Sequence, residues 1–97
     1  MGKVKIIWTK SAIQAVKEIY DYYKEKSPQG AKNVRADLLN SPKSIQYAKQ
    51  YQVDEINPSY RRIIVRDYKV LYTEQTGTVQ VMDVTGTRQS PEILKNK

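Results

Sequence analysis

The chain has 97 residues, enough for one domain with a single hydrophobic core and too few for two. It contains no cysteine and no histidine, which excludes disulfides, thiolate zinc sites, cysteine nucleophiles and imidazole bases. The net charge of +7 favours an acidic partner such as nucleic acid or an acidic protein surface. We therefore expect no metal and no cofactor, and chemistry limited to lysine, arginine, tyrosine and carboxylates.

The first predicted element is a short strand over residues 3–8, where β-branched and aromatic side chains dominate. This apolar run is too short for a signal peptide or a membrane span, so we expect a cytoplasmic protein with no membrane association. Thr9 or Ser11 then caps a helix to about Lys26, and Gln14 stands at the capping-box distance from Ser11. Its buried face is expected to contain Ala12, Ile13, Val16, Ile19, Tyr20 and Tyr23.

A second helix begins at Ser27-Pro28, because serine is a favoured N-cap and proline a favoured first helical residue. Asn40-Ser41-Pro42 ends it. Two consecutive helices with a short connection predict an antiparallel hairpin that covers one face of a sheet. Residues 43–58 give a weak signal, and the contacts expected to be buried there are Tyr47, Tyr51 and Val53.

After Pro58 the pattern becomes typical of strands, with β-rich runs over residues 60–65, 68–74 and 78–84. Gly77 supplies the positive φ of a hairpin turn between the last two. The sequence therefore predicts one α+β domain over residues 1–97, with element order β-α-α-β-β-β. The helix hairpin packs on one face of an antiparallel sheet, and the other face has no helix.

Arginine is concentrated after Tyr51, where four of the five arginines lie. The guanidinium fork suits phosphate and carboxylate, so Arg61, Lys69 and Arg88 are candidates for a target-binding or active face beside the sheet. The alternative is structural. Arg61, Arg62 and Arg66 would then pair across strands with acidic residues, namely Asp67, Glu74 or Asp83.

The stretch from Pro58 to Leu94 resembles the C-terminal half of RelE/ParE-type toxins. It has an aromatic-arginine pair, a Tyr-basic-apolar-apolar-Tyr strand, a hairpin, an apolar strand and an arginine in the tail. Trp8, Ala12 and the tyrosines of the first helix fit the same pattern. The resemblance implies the β-α-α-β-β-β fold and a cognate antitoxin that binds and occludes the toxin.

The resemblance leaves two activities open. RelE-like members cut messenger RNA on the ribosome, whereas ParE-like members poison DNA gyrase. By position, Arg61, Lys69 and Arg88 match basic residues of the RelE-like cleft, but Ile63 replaces a further basic residue and the tail has no tyrosine. RNA cleavage needs a proton-transfer group, which Tyr60 or Tyr68 would have to supply, so the sequence favours the ParE-like activity.

A third function is a harmless nucleic-acid-binding module that uses basic charge and exposed tyrosines to stack bases. Such a module would bind with steep salt dependence and would not arrest growth. Under the toxin hypothesis we expect an acidic antitoxin segment that lies across the sheet and beside the helix hairpin, because the +7 surface favours carboxylates.

Overall fold

The computed structural model describes residues 4–46 and 50–87. Its elements are β1 (Lys5–Trp8), α1 (Lys10–Lys24), α2 (Pro28–Asn40), a 3-10 helix (Ser41–Ser44), β2 (Arg61–Val65), β3 (Tyr68–Gln75) and β4 (Thr78–Gly86). This order confirms the predicted β-α-α-β-β-β fold. No helix in the described part of the chain is long and apolar enough to cross a membrane.

The four strands form one sheet in the order β1-β4-β3-β2. β2, β3 and β4 make the predicted antiparallel meander, whereas β1 pairs with β4 in parallel, so the sheet is mixed. The turn between β3 and β4 has positive φ at both Thr76 (51°) and Gly77 (78°), as a tight two-residue hairpin with right-handed strand twist requires.

Both helices pack on the same face of the sheet, which we call the helix-covered face. Apolar residues of α1, α2, β2, β3 and β4 meet there in one core: Ala12, Val16, Val34, Leu38, Ile63, Val70, Tyr72, Val79, Val81 and Val84. Two predictions for this core are wrong. Ile13 is 53% exposed on the outer surface of α1, and Val53 is 43% exposed.

The capping residue of α1 is Thr9, and Ser11 lies inside the helix, so the predicted capping box does not form. The Thr9 hydroxyl oxygen accepts a hydrogen bond from the Ala12 N–H (3.2 Å) and donates one to the Val81 carbonyl (2.8 Å). The Thr9 N–H donates to the same carbonyl at 3.1 Å. Thr9 therefore joins the start of α1 to the middle of β4 and sets the helix against the sheet.

We expect Thr9→Val to lower the free energy of unfolding by about 2 kcal/mol, since it removes a helix cap and a partly buried hydrogen bond at nearly constant volume. The matched control is Ser27→Ala, which removes only the exposed cap of α2 and should cost about 1 kcal/mol. Urea denaturation of the three proteins measures both values. Equal costs would contradict the bridging role of Thr9.

Candidate target-binding face

The basic residues that the sequence predicted to form one cluster lie on opposite faces of the sheet. Alternation along β2 places Arg61 on the helix-covered face with the buried Ile63, and places Arg62 on the opposite face with Ile64. Lys69 of β3 pairs with Ile64 and therefore lies on this second, helix-free face. The structure thus separates Arg61 from Lys69, contrary to the expectation that these cations adjoin. Arg88 lies outside the described residues.

Lys69 is buried, and its ammonium is bound to Asp54. The Lys69 Nζ–Asp54 Oδ1 distance is 2.7 Å, and the side chains are 10% and 0% exposed. The other carboxylate oxygen, Oδ2, accepts hydrogen bonds from the N–H groups of Ile56 (3.1 Å) and Asn57 (2.8 Å). The irregular segment after Val53 therefore folds around its own carboxylate and holds that carboxylate on the helix-free face.

Burial on its own would raise the pKa of Asp54, but the Lys69 ammonium and the two N–H donors outweigh burial, and the net pKa is below its usual value. Asp54 is therefore ionised at neutral pH and balances the charge of Lys69. This placement gives Lys69 a structural role, because a partner's anion would have to displace the Asp54 carboxylate to reach it.

Arg62 is the more accessible cation of the helix-free face. Its guanidinium donates to the Val53 carbonyl (3.1 Å) and to Gln52 Oε1 (3.2 Å), and lies 3.7 Å from Asp54 Oδ1. An isolated bridge between Val53 and Arg61 adds a further short antiparallel contact at the β2 edge. Arg62 thus fastens the preceding segment to β2.

The remaining arginines of this region are also engaged. The Arg61 guanidinium donates to the Tyr51 carbonyl (2.8 Å), and Arg66 pairs with Asp37 of α2 at 2.7 Å. Structural pairing was the predicted alternative for Arg62 and Arg66. The predicted acidic partners are wrong, because both arginines pair with acids outside the meander.

A proton-transfer group beside Lys69 would have to come from Asp54 or from a tyrosine, and Asp54 is held by the Lys69 ammonium and two N–H groups. Tyr68, one candidate substitute for the missing tail tyrosine, lies on the helix-covered face, where its hydroxyl donates to the Tyr23 hydroxyl at 3.4 Å. Burial and this hydrogen bond raise the pKa of Tyr68 well above its usual value, so it stays a neutral phenol. The described residues include no group of acidic side chains able to hold a metal ion.

Asp54 is the residue that sequence reasoning missed. It lies in the stretch over residues 43–58 that had no periodic pattern, and nothing in its local sequence distinguishes it from the exposed Glu55. The only available signal was indirect. A lysine inside an apolar strand, as in Tyr68-Lys69-Val70-Leu71, requires a counter-charge if it is buried.

Comparison with known proteins identifies related sequences and folds. The family model described as "ParE toxin of type II toxin-antitoxin system, parDE" matches residues 6–91. A solved structure described as "Chromosomal ParDE TA system from P. aeruginosa" has the same fold, with a TM-score of 0.74 and 18% sequence identity. That match covers 86% of this chain and 95% of the other. No curated protein matches the sequence.

We expect Asp54→Asn to lower the free energy of unfolding by about 3 kcal/mol, because it leaves the Lys69 ammonium buried without a counter-charge. Asp37→Asn is the matched control. It breaks an ion pair whose side chains are 47% and 50% exposed, and should cost less than about 1 kcal/mol. Urea denaturation at pH 7 compares the two variants, and a smaller loss for Asp54→Asn would contradict the buried pair.

The same pair predicts a pH dependence. The pKa of Asp54 is lower in the folded protein than in the unfolded chain, where it is about 3.9. Its stabilisation is therefore fully present above about pH 4 and is lost as the pH falls through the folded-state pKa. The stability gap between wild type and Asp54→Asn should shrink in denaturation curves below about pH 4. A gap that stays constant there would show that Asp54 does not titrate with folding.

Proposed function

Because the chain belongs to the ParE toxin family of type II toxin–antitoxin systems, we propose that it arrests bacterial growth by acting on DNA gyrase and is neutralised by a cognate antitoxin. The observation that carries the proposal is the family match over residues 6–91. The toxin acts in the cytoplasm, where its target is found.

The site geometry supports gyrase over messenger RNA as the target. A ribosome-dependent nuclease needs free cations for the phosphate and a group that accepts or donates a proton. Lys69 is neutralised by Asp54, and Tyr68 is a neutral phenol on the other face from Lys69. A protein that acts by binding its target needs none of this acid–base set.

The direct test is expression of the chain alone in bacteria. We expect growth arrest, and relief when the neighbouring open reading frame is expressed as well. Purified protein should inhibit supercoiling by gyrase and should leave messenger RNA on the ribosome intact. Codon-specific RNA cleavage would show that the target is the ribosome and not gyrase. Normal growth with soluble wild-type protein would refute the toxin function.

Within this proposal Arg61 and Arg88 contact the target, whereas Lys69 shapes the face through Asp54. Arg88→Ala should abolish growth arrest and leave the melting temperature nearly unchanged, as expected of a residue that acts on the target and not on the fold. Arg66→Ala removes an arginine from an exposed pair and is the control that should remain toxic. A folded Arg88→Ala protein that still arrests growth would remove Arg88 from the site.

A further inference from the structure

A groove of about 800 Å³ lies between the second half of α1, the start of β3 and the end of β4. Its apolar lining comes from Ala15, Ile19 and Val84, and the rings of Tyr22, Tyr23 and Tyr68 add aromatic surface. Tyr22 and Tyr23 pack edge to face with ring centroids 5.3 Å apart. The groove is therefore wide enough for several side chains of a partner and offers them both apolar and aromatic contacts.

Two carboxylates line the same groove, in a protein whose net charge is +7. Glu18 accepts a hydrogen bond from the Gln14 amide, and Asp67 lies in the turn between β2 and β3. Asp83 also borders the groove, but it pairs with Leu71, the partner of Arg62, so alternation directs its side chain to the helix-free face. Neither Glu18 nor Asp67 forms an ion pair within the described part of the chain, although basic side chains are abundant elsewhere. The groove is a local region of negative charge on a positive protein.

One ammonium group of the chain itself already lies against an aromatic ring of the groove. The Lys26 ammonium lies 4.5 Å from the centroid of the Tyr22 ring and 3.0 Å from the Tyr22 hydroxyl. Aromatic faces attract ammonium and guanidinium groups, and carboxylates bind the same groups through charge-assisted hydrogen bonds. The lining therefore fits a basic side chain flanked by apolar residues.

We propose that this groove receives a lysine or arginine of the cognate antitoxin, with neighbouring apolar residues on Ala15, Ile19 and Val84. The proposal rests on the proposed function, which supplies the partner. Most of the toxin surface attracts acidic residues of that partner, whereas the groove attracts a basic one. An antitoxin segment bound in the reverse direction would place its acidic residues against the groove carboxylates and its basic residue against the positive surface. The groove therefore fixes the direction and register of the bound antitoxin.

The test compares two double variants with the same change in net charge. The groove variant carries Glu18→Gln and Asp67→Asn, in which the amides keep the size of the carboxylates and the oxygens that accept hydrogen bonds. The control variant carries Glu55→Gln and Glu74→Gln, both at exposed positions outside the groove. Affinity for the antitoxin encoded by the neighbouring open reading frame is measured by calorimetry at fixed salt concentration.

We expect the groove variant to bind the antitoxin at least roughly tenfold more weakly and the control variant to stay within about twofold of wild type. Equal weakening of both variants, or no weakening of the groove variant, would overturn the groove proposal. If the groove variant does not fold, as judged by circular dichroism, the single substitution Asp67→Asn in the exposed turn is tested in the same binding assay. Failure of the wild-type chain to bind the antitoxin would instead refute the proposed function, so the two failures are distinguishable.

Discussion

A four-stranded sheet with both helices on one face leaves the other face without helical cover, and the structure depends on how that face is stabilised. The solution is electrostatic. Asp54 enters from irregular chain, binds the Lys69 ammonium at 2.7 Å and receives two backbone N–H groups. Because both members are almost fully buried, the pair is tolerated only while each neutralises the other. A lysine that looks like a free cation in the sequence is therefore part of the framework.

This arrangement changes how the positive charge of the protein is distributed. The arginines of β2 and the turn after it bind carbonyls and carboxylates of other segments. Arg62 donates to the Val53 carbonyl, and Arg66 forms an ion pair with Asp37. Exposed lysines supply much of the remaining charge, while the groove beside α1 carries two carboxylates without ion pairs in the described residues. The surface thus has separate regions of positive and negative charge, and such an arrangement discriminates between partners better than a uniformly positive surface does.

The periodic parts of the chain could be predicted from the sequence, and the irregular parts could not. Helix spacing located α1 and α2, alternation located β2 to β4, and Gly77 located the hairpin turn, because these signals act over neighbouring residues. The parallel pairing of β1, the partners of Arg62 and Arg66, and the role of Asp54 all depend on residues distant in sequence. Alternation already implied that Arg61 and Arg62 face opposite sides, but which side the helices cover came only from the structure.

The parallel pairing of β1 with β4 also bears on synthesis. The bond from Thr9 to Val81 joins residues 72 positions apart, so the first strand has no partner until the last one has left the ribosome. Long-range contacts of this kind form late, since a large loop must close before they stabilise the chain. A chain that stops before β4 lacks both the central core residues Val79 and Val81 and the anchor of α1. Prematurely terminated products of this gene should therefore fail to fold and should be degraded rather than accumulate as partly active fragments.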